Sequence, residues 1–74
     1  MFDWRFAMDT LSKRELQVLV LAAQGLSNTQ IAERLVIREK TVRHHITHIL
    51  AKLGLHTRAE LIAAAWRDGW VTQP

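Results

Sequence analysis

The residues best suited to chemistry crowd into one stretch, 38–58, where all four histidines (His44, His45, His48 and His56) stand with Arg38, Lys40, Arg43, Lys52 and Arg58. Two kinds of chemistry draw on such a set. Imidazoles one helical turn apart, as His44 and His48 are, can chelate a divalent metal. Arginine, lysine, histidine and threonine gathered on one exposed face can instead donate hydrogen bonds to base edges and phosphates. The run His44-His45-Ile46-Thr47-His48 lacks the glutamate that directly follows the first histidine in zinc-hydrolase helices. The chain has no cysteine, and Glu39 is the only carboxylate in the segment. A third ligand would have to be His56 or a distant group, so no metal and no cofactor is expected. Nucleophilic catalysis is also set aside, because Ser12 and Ser27 are better used as helix caps and no glycine-rich phosphate loop exists. No catalytic residue is assigned, and the chain is not read as an enzyme.

Charge distribution favours the nucleic-acid reading. The 74 residues carry a formal net charge of +3, which alone says little. Residues 1–37 hold four basic and four acidic side chains, 38–58 hold five against one, and 59–74 hold one against two. The whole excess therefore lies in the histidine-bearing segment, the footprint of a phosphate-binding surface. The plain alternative is a solvated lysine-rich helix face.

These side chains must be positioned by helices. Three times the sequence places a hydroxyl residue three positions before Glu or Gln, the pairing that satisfies orphan N–H groups reciprocally at a helix start: Ser12 with Glu15, Ser27 with Gln30, Thr57 with Glu60. Leu11 before the first cap pairs with Leu16, and Leu26 before the second with Ile31, as hydrophobic staples. After the caps, Leu16, Leu19, Val20 and Ala23 predict a helix over Lys13 to Gln24, stopped by Gly25. Ile31, Ala32 and Leu35 predict a two-turn helix over Asn28 to Leu35. Val42, Ile46, Ile49, Leu50 and Leu53 mark a third over about 39–53, stopped by Gly54, and Leu61, Ile62, Ala65 and Trp66 a fourth from Arg58 to about Asp68. Phe2, Trp4, Phe6 and Met8 alternate too briefly to make a strand. The expected fold class is all-α with four short helices over 11–74, residues 1–10 being an N-terminal extension or linker remnant.

The second and third helices are separated only by Val36, Ile37 and Arg38, a connection suited to a steep crossing that offers one helix to the major groove. At 100° per residue the apolar stripe of the third helix centres near Ile46 and Leu53. Lys40, His44, Thr47, His48 and Ala51 point the other way, with Arg43 and His45 on the flanks. Lys40, Arg43, His44 and Thr47 are the candidates for base edges, Arg43 being able to give a guanine two hydrogen bonds.

The sequence now resembles a known family. Leu11-Ser12 with Arg14-Glu15, then Gly25, Ser27-Asn28, Ile31-Ala32, Leu35, Thr41-Val42-Arg43, His45, Ile49, Lys52-Leu53 and Arg58 are similar, in order and interval, to the LuxR/GerE-type helix-turn-helix domain over about Leu11 to Trp70. The resemblance implies a bacterial transcriptional regulator whose third helix reads DNA and whose fourth dimerises. It implies base contacts at Arg43, His44 and Thr47, and phosphate contacts at Ser27, Asn28, Thr41, Lys52, His56, Thr57 and Arg58. Unaided by it, the N–H groups opening the second helix are an anion site, and Lys52 and Arg58 flank the basic stripe. The plain alternative for those two is solvated surface.

The sequence departs from the family at Arg38, where a capping serine is usual: arginine cannot cap and puts a cation at the positive helix end. There it would face the phosphates flanking the groove. On the fourth helix Ala59, Ile62, Ala63 and Trp66 share one side while Leu61 and Ala65 face elsewhere, so the first group is expected to meet a second copy. Expected partners are double-stranded DNA, a second copy of the chain and RNA polymerase, with no membrane and no small-molecule ligand, in a bacterial cytoplasm. The rival is a protein-interaction module docking through Phe2, Trp4, Phe6, Trp66 and Trp70.

Overall fold

The computed structural model describes residues 4–69. In chain order they form α1 (Trp4–Thr10), α2 (Lys13–Ala23), α3 (Asn28–Leu35), α4 (Glu39–Leu53) and α5 (Arg58–Arg67), with no strand among the described residues. The class is all-α, as expected, and α2 to α5 are the four helices the capping and periodicity imply. α1 is an addition. It occupies the segment read as an extension, and it is not idle chain: its Ala7 is buried, together with Leu11 just beyond it, among the core residues of α2, α3 and α4.

The first two helix starts are closed on both sides. Ser12 Oγ accepts from Glu15 N at 3.1 Å while Glu15 Oε1 accepts from Ser12 N at 2.8 Å. Ser27 Oγ accepts from Gln30 N at 3.2 Å while Gln30 Oε1 accepts from Ser27 N at 2.8 Å. The third start is only half of that device. Thr57 Oγ1 accepts from Glu60 N at 3.1 Å, but the Glu60 carboxylate turns to the threonine hydroxyl at 3.2 Å and not to the cap's N–H. Arg38 opens α4 in extended backbone (φ −78°, ψ 148°) with no side-chain cap.

At the other end of α2 every late carbonyl is satisfied. Val20, Leu21 and Ala22 accept from Gln24, Leu26 and Gly25 backbone N–H groups at 3.1, 3.2 and 3.0 Å, and Ala23 accepts from the Trp66 indole Nε1 at 2.8 Å. Helix ends leave such groups unpaired by construction, so this indole bond ties α5 to the end of α2. α2 stops at Ala23, with Gln24 as its cap, and α5 stops at Arg67, with Asp68 as its cap, one residue short of the expected ends in each case. α3 ends on Val36, a β-branched residue held at φ 57°, ψ 50°, where L side chains are strained.

Val18, Leu19, Ile31, Val42, Ile49 and Leu61 are essentially solvent-free and come from four helices. Each such side chain contributes roughly 1.5–3 kcal/mol by leaving water, and this shared core fixes the angle at which α3 presents α4. α5 packs on α2 through Ala65 and Ala23, small residues that let the two backbones approach.

Candidate nucleic-acid interface

α4 buries Val42, Ile46, Ile49 and Leu53 and exposes Lys40, His44, Thr47, His48 and Ala51. Arg43 is exposed on one flank and His45 half-buried on the other. Fifteen residues make a rod about 22 Å long, and Lys40 to Thr47 occupy about two of its turns. The structure thus gathers all four candidate base-reading residues on one outward surface at the N-terminal half of α4. Thr47 Oγ1 donates to Arg43 O at 3.0 Å, so its hydroxyl hydrogen is already used and its oxygen is left to accept.

The electrostatics around this surface are one-sided. Arg38, Lys40, Arg43, His44 and His48 surround a single acid, Glu39. Glu39 accepts from Thr29 Oγ1 at 3.0 Å and lies 3.6 Å from Arg43 Nη1. With no cap from Arg38, the Glu39, Lys40 and Thr41 backbone N–H groups have no partner among the described residues, and the Asn28 and Thr29 N–H groups at the start of α3 are also unpaired. Two helix N-termini with free donors, one beside the basic face, are suited to phosphate oxygens.

The remaining candidates for phosphate contact sit as follows. Ser27 is exposed and capping, Thr41 is half-buried, and His56 and Thr57 are exposed in the α4–α5 connection. Lys52 and Arg58 are not plain solvated surface. Lys52 Nζ donates to Glu15 Oε1 at 2.7 Å, and the Glu15 side chain is only 6% exposed. Burial pushes the Glu15 carboxyl up, but the Lys52 and Ser12 hydrogen bonds and the nearby ammonium outweigh it and hold the group below its ordinary value. Arg58 donates through one terminal nitrogen to Asn28 Oδ1 and through the other to Leu26 O at 2.7 Å, bracing α5 against the start of α3. Sequence reasoning missed all three bonds because the partners lie 37, 30 and 32 residues away.

On α5, Leu61, Ala64 and Ala65 are buried, Ala59 and Ala63 exposed, Ile62 half-buried and Trp66 38% exposed. The helix has an outward face of the four residues expected to meet a second copy, although Trp66 is anchored at its indole nitrogen. Phe2 and Trp70 lie outside the described residues. Among those described, no three His, Cys, Asp or Glu side chains converge on a point that could hold a metal, and no helix is long and apolar enough to cross a membrane.

The family model described as bacterial regulatory proteins, luxR family, matches residues 9–65, which take in α2, α3, α4 and most of α5. The chain belongs to the luxR family of bacterial regulatory proteins. Over 69 residues it is 38% identical to the transcriptional regulatory protein DegU of Brevibacillus brevis, covering 93% of this chain and 29% of that protein. Over 55 residues it is 53% identical to the oxygen regulatory protein NreC of Staphylococcus aureus (strain JH9), covering 74% of this chain and 25% of that protein. The chain spans under a third of the length of these curated relatives. In this luxR-family domain the strained Val36 sits in the short connection between α3 and α4.

Proposed function

We propose that this domain is the sequence-reading part of a transcriptional regulator. It enters the major groove of double-stranded DNA with α4 and binds as a dimer through the outward face of α5. The observation that supports it most is the outer face of α4: donor-rich, basic, and carrying one acid whose charge is already engaged. Arg43, Lys40, His44 and Thr47 read base edges. Arg38, Thr41, Ser27, Asn28, His56 and Thr57 meet phosphates, with Lys52 and Arg58 adding positive potential while serving the fold. Two copies related by a two-fold axis need an operator with two similar half-sites. Its place of action is the bacterial cytoplasm, with RNA polymerase as the further partner.

Selection of bound duplexes from a random-sequence pool tests this reading. The expected product is a paired half-site whose affinity falls steeply with salt. Arg43→Ala should then cost about 1–3 kcal/mol on that site and relax preference at one base position. A pool that enriches no sequence, or an Arg43→Ala protein that loses affinity equally on all duplexes, would remove α4 as the reader.

A further inference from the structure

Glu39 is the one acidic residue of α4, and it stands where the proposed reading places DNA. A carboxylate repels phosphate, so it weakens binding unless it does something else. One of its oxygens is hydrogen-bonded and the other faces a cation. Oε2 accepts from Thr29 Oγ1 of α3 at 3.0 Å, and Oε1 faces Arg43 Nη1 at 3.6 Å. α3 therefore holds the carboxylate and the carboxylate holds the guanidinium.

We propose that Glu39, anchored by Thr29, is a positioning residue that presets Arg43 for base reading and withholds it from indiscriminate pairing with phosphates. The inference rests on the reading of Arg43 as a base contact. A guanidinium carries five N–H donors in a fixed fork. One engaged at Glu39 leaves enough for a bidentate approach to guanine O6 and N7. The pair is loose and half-exposed, the side chains being 56% and 48% accessible, so a base edge can approach without first breaking a buried bond. Without the carboxylate, the flexible arginine stem lets the cation swing to whichever phosphate is nearest, and that contact carries no sequence information.

The test uses the 74-residue chain, a duplex bearing the site that it selects from a random pool, and a scrambled duplex of equal length. Dissociation constants are measured across a salt series, and melting midpoints check folding. Glu39→Gln should bind the scrambled duplex roughly three- to tenfold more tightly and steepen its salt slope by about one, because one more phosphate is neutralised. The ratio of scrambled to specific dissociation constants should fall by a similar factor, a part of the roughly 5- to 150-fold discrimination that a bidentate pair supplies. Thr29→Val, which keeps the charge but loses the anchor, should lower the ratio less, and Thr29→Ser should restore it. In the Arg43→Ala background, Glu39→Gln should cost no further discrimination. Two results overturn the proposal while leaving Arg43 as reader: an unchanged ratio in Glu39→Gln, or losses that add in the double variant, which would make Glu39 itself a base contact. An Arg43→Ala protein with undiminished discrimination overturns the underlying reading and this proposal together.

Discussion

Replacing Lys52 by methionine keeps an unbranched stem and removes the charge, leaving the Glu15 carboxylate without its cation. Glu15 Oε1 holds two bonds, 2.7 Å from Lys52 Nζ and 2.8 Å from Ser12 N, and only the second survives. Removing one partner of a fully buried pair costs about 3–5 kcal/mol. The Lys52 side chain is 41% exposed, and water already weakens the pair, so about 1–3 kcal/mol is the appropriate range at neutral pH. In a domain of this size that lowers the melting midpoint by about 10 °C. Glu15→Gln should cost less. A glutamine can still accept from the cap N–H, as Gln30 does from Ser27 at 2.8 Å, and the freed lysine can reach solvent.

The pH dependence follows from the same atoms. In the wild type the Glu15 carboxyl is held below its ordinary value of 4.5, so its contribution to stability is full above that value and is lost as pH falls through the lowered one. In Lys52→Met the upward push of burial meets only the Ser12 bonds. The gap between the two proteins should therefore be widest at neutral pH and close as pH falls below the lowered value of the wild type. Thermal melts of wild type, both single variants and the double variant across that range measure it. A Lys52→Met protein equally destabilised at both ends of the range, or not destabilised at all, would refute an electrostatic role for the pair.

Three other expectations follow from named residues. Arg38→Ser places a cap oxygen in backbone close to that of Ser12 (φ −69°, ψ 163°) and Ser27 (φ −74°, ψ 165°), so it should add roughly 1 kcal/mol, about 4–8 °C, in a melt. The same change should weaken DNA binding and reduce the salt slope by about one; a variant less stable yet unimpaired in binding would contradict both halves. Val36→Asn, at a position 88% exposed, relieves a β-branched side chain of its left-handed conformation and should stabilise by about 0.5–1 kcal/mol, which denaturant titration would detect. Ile62→Asp should abolish cooperative binding to a paired half-site with far-ultraviolet helicity intact, and loss of helicity would place Ile62 in the fold rather than at the two-fold axis.

What the chain discloses before folding follows the range of the interactions concerned. The caps at Ser12 and Ser27 are legible because both partners lie within one helical turn. So is the outer face of α4, since a single helical period determines it. α1 is not legible: seven residues with no acidic side chain in the first turn are marginal alone, and Ala7 gains its role only in the core shared with the later helices. The left-handed Val36 is hidden for the opposite reason, since nothing about valine suggests that conformation and the tertiary packing of α3 against α4 imposes it. At the candidate site the donor types and their grouping are readable in advance. The second allegiance of each charged group, Lys52 to Glu15, Arg58 to Asn28 and Leu26, Glu39 to Thr29, depends on distant or inter-helix partners and appears only in the fold.

The brace from Arg58 bears on whether the reading helices are portable. Because Asn28 Oδ1 and Leu26 O take their donors from the first residue of α5, a segment cut after α4 would leave an acceptor pair at the mouth of α3 facing nothing. It would also lose the Leu61 side chain that helps seal the core. The 28–53 pair is therefore not a cassette to be grafted onto another scaffold by sequence alone. A graft needs either α5 carried along with it or a guanidinium supplied by the host at the same place, and specificity transplanted without one would arrive on a loosened helix.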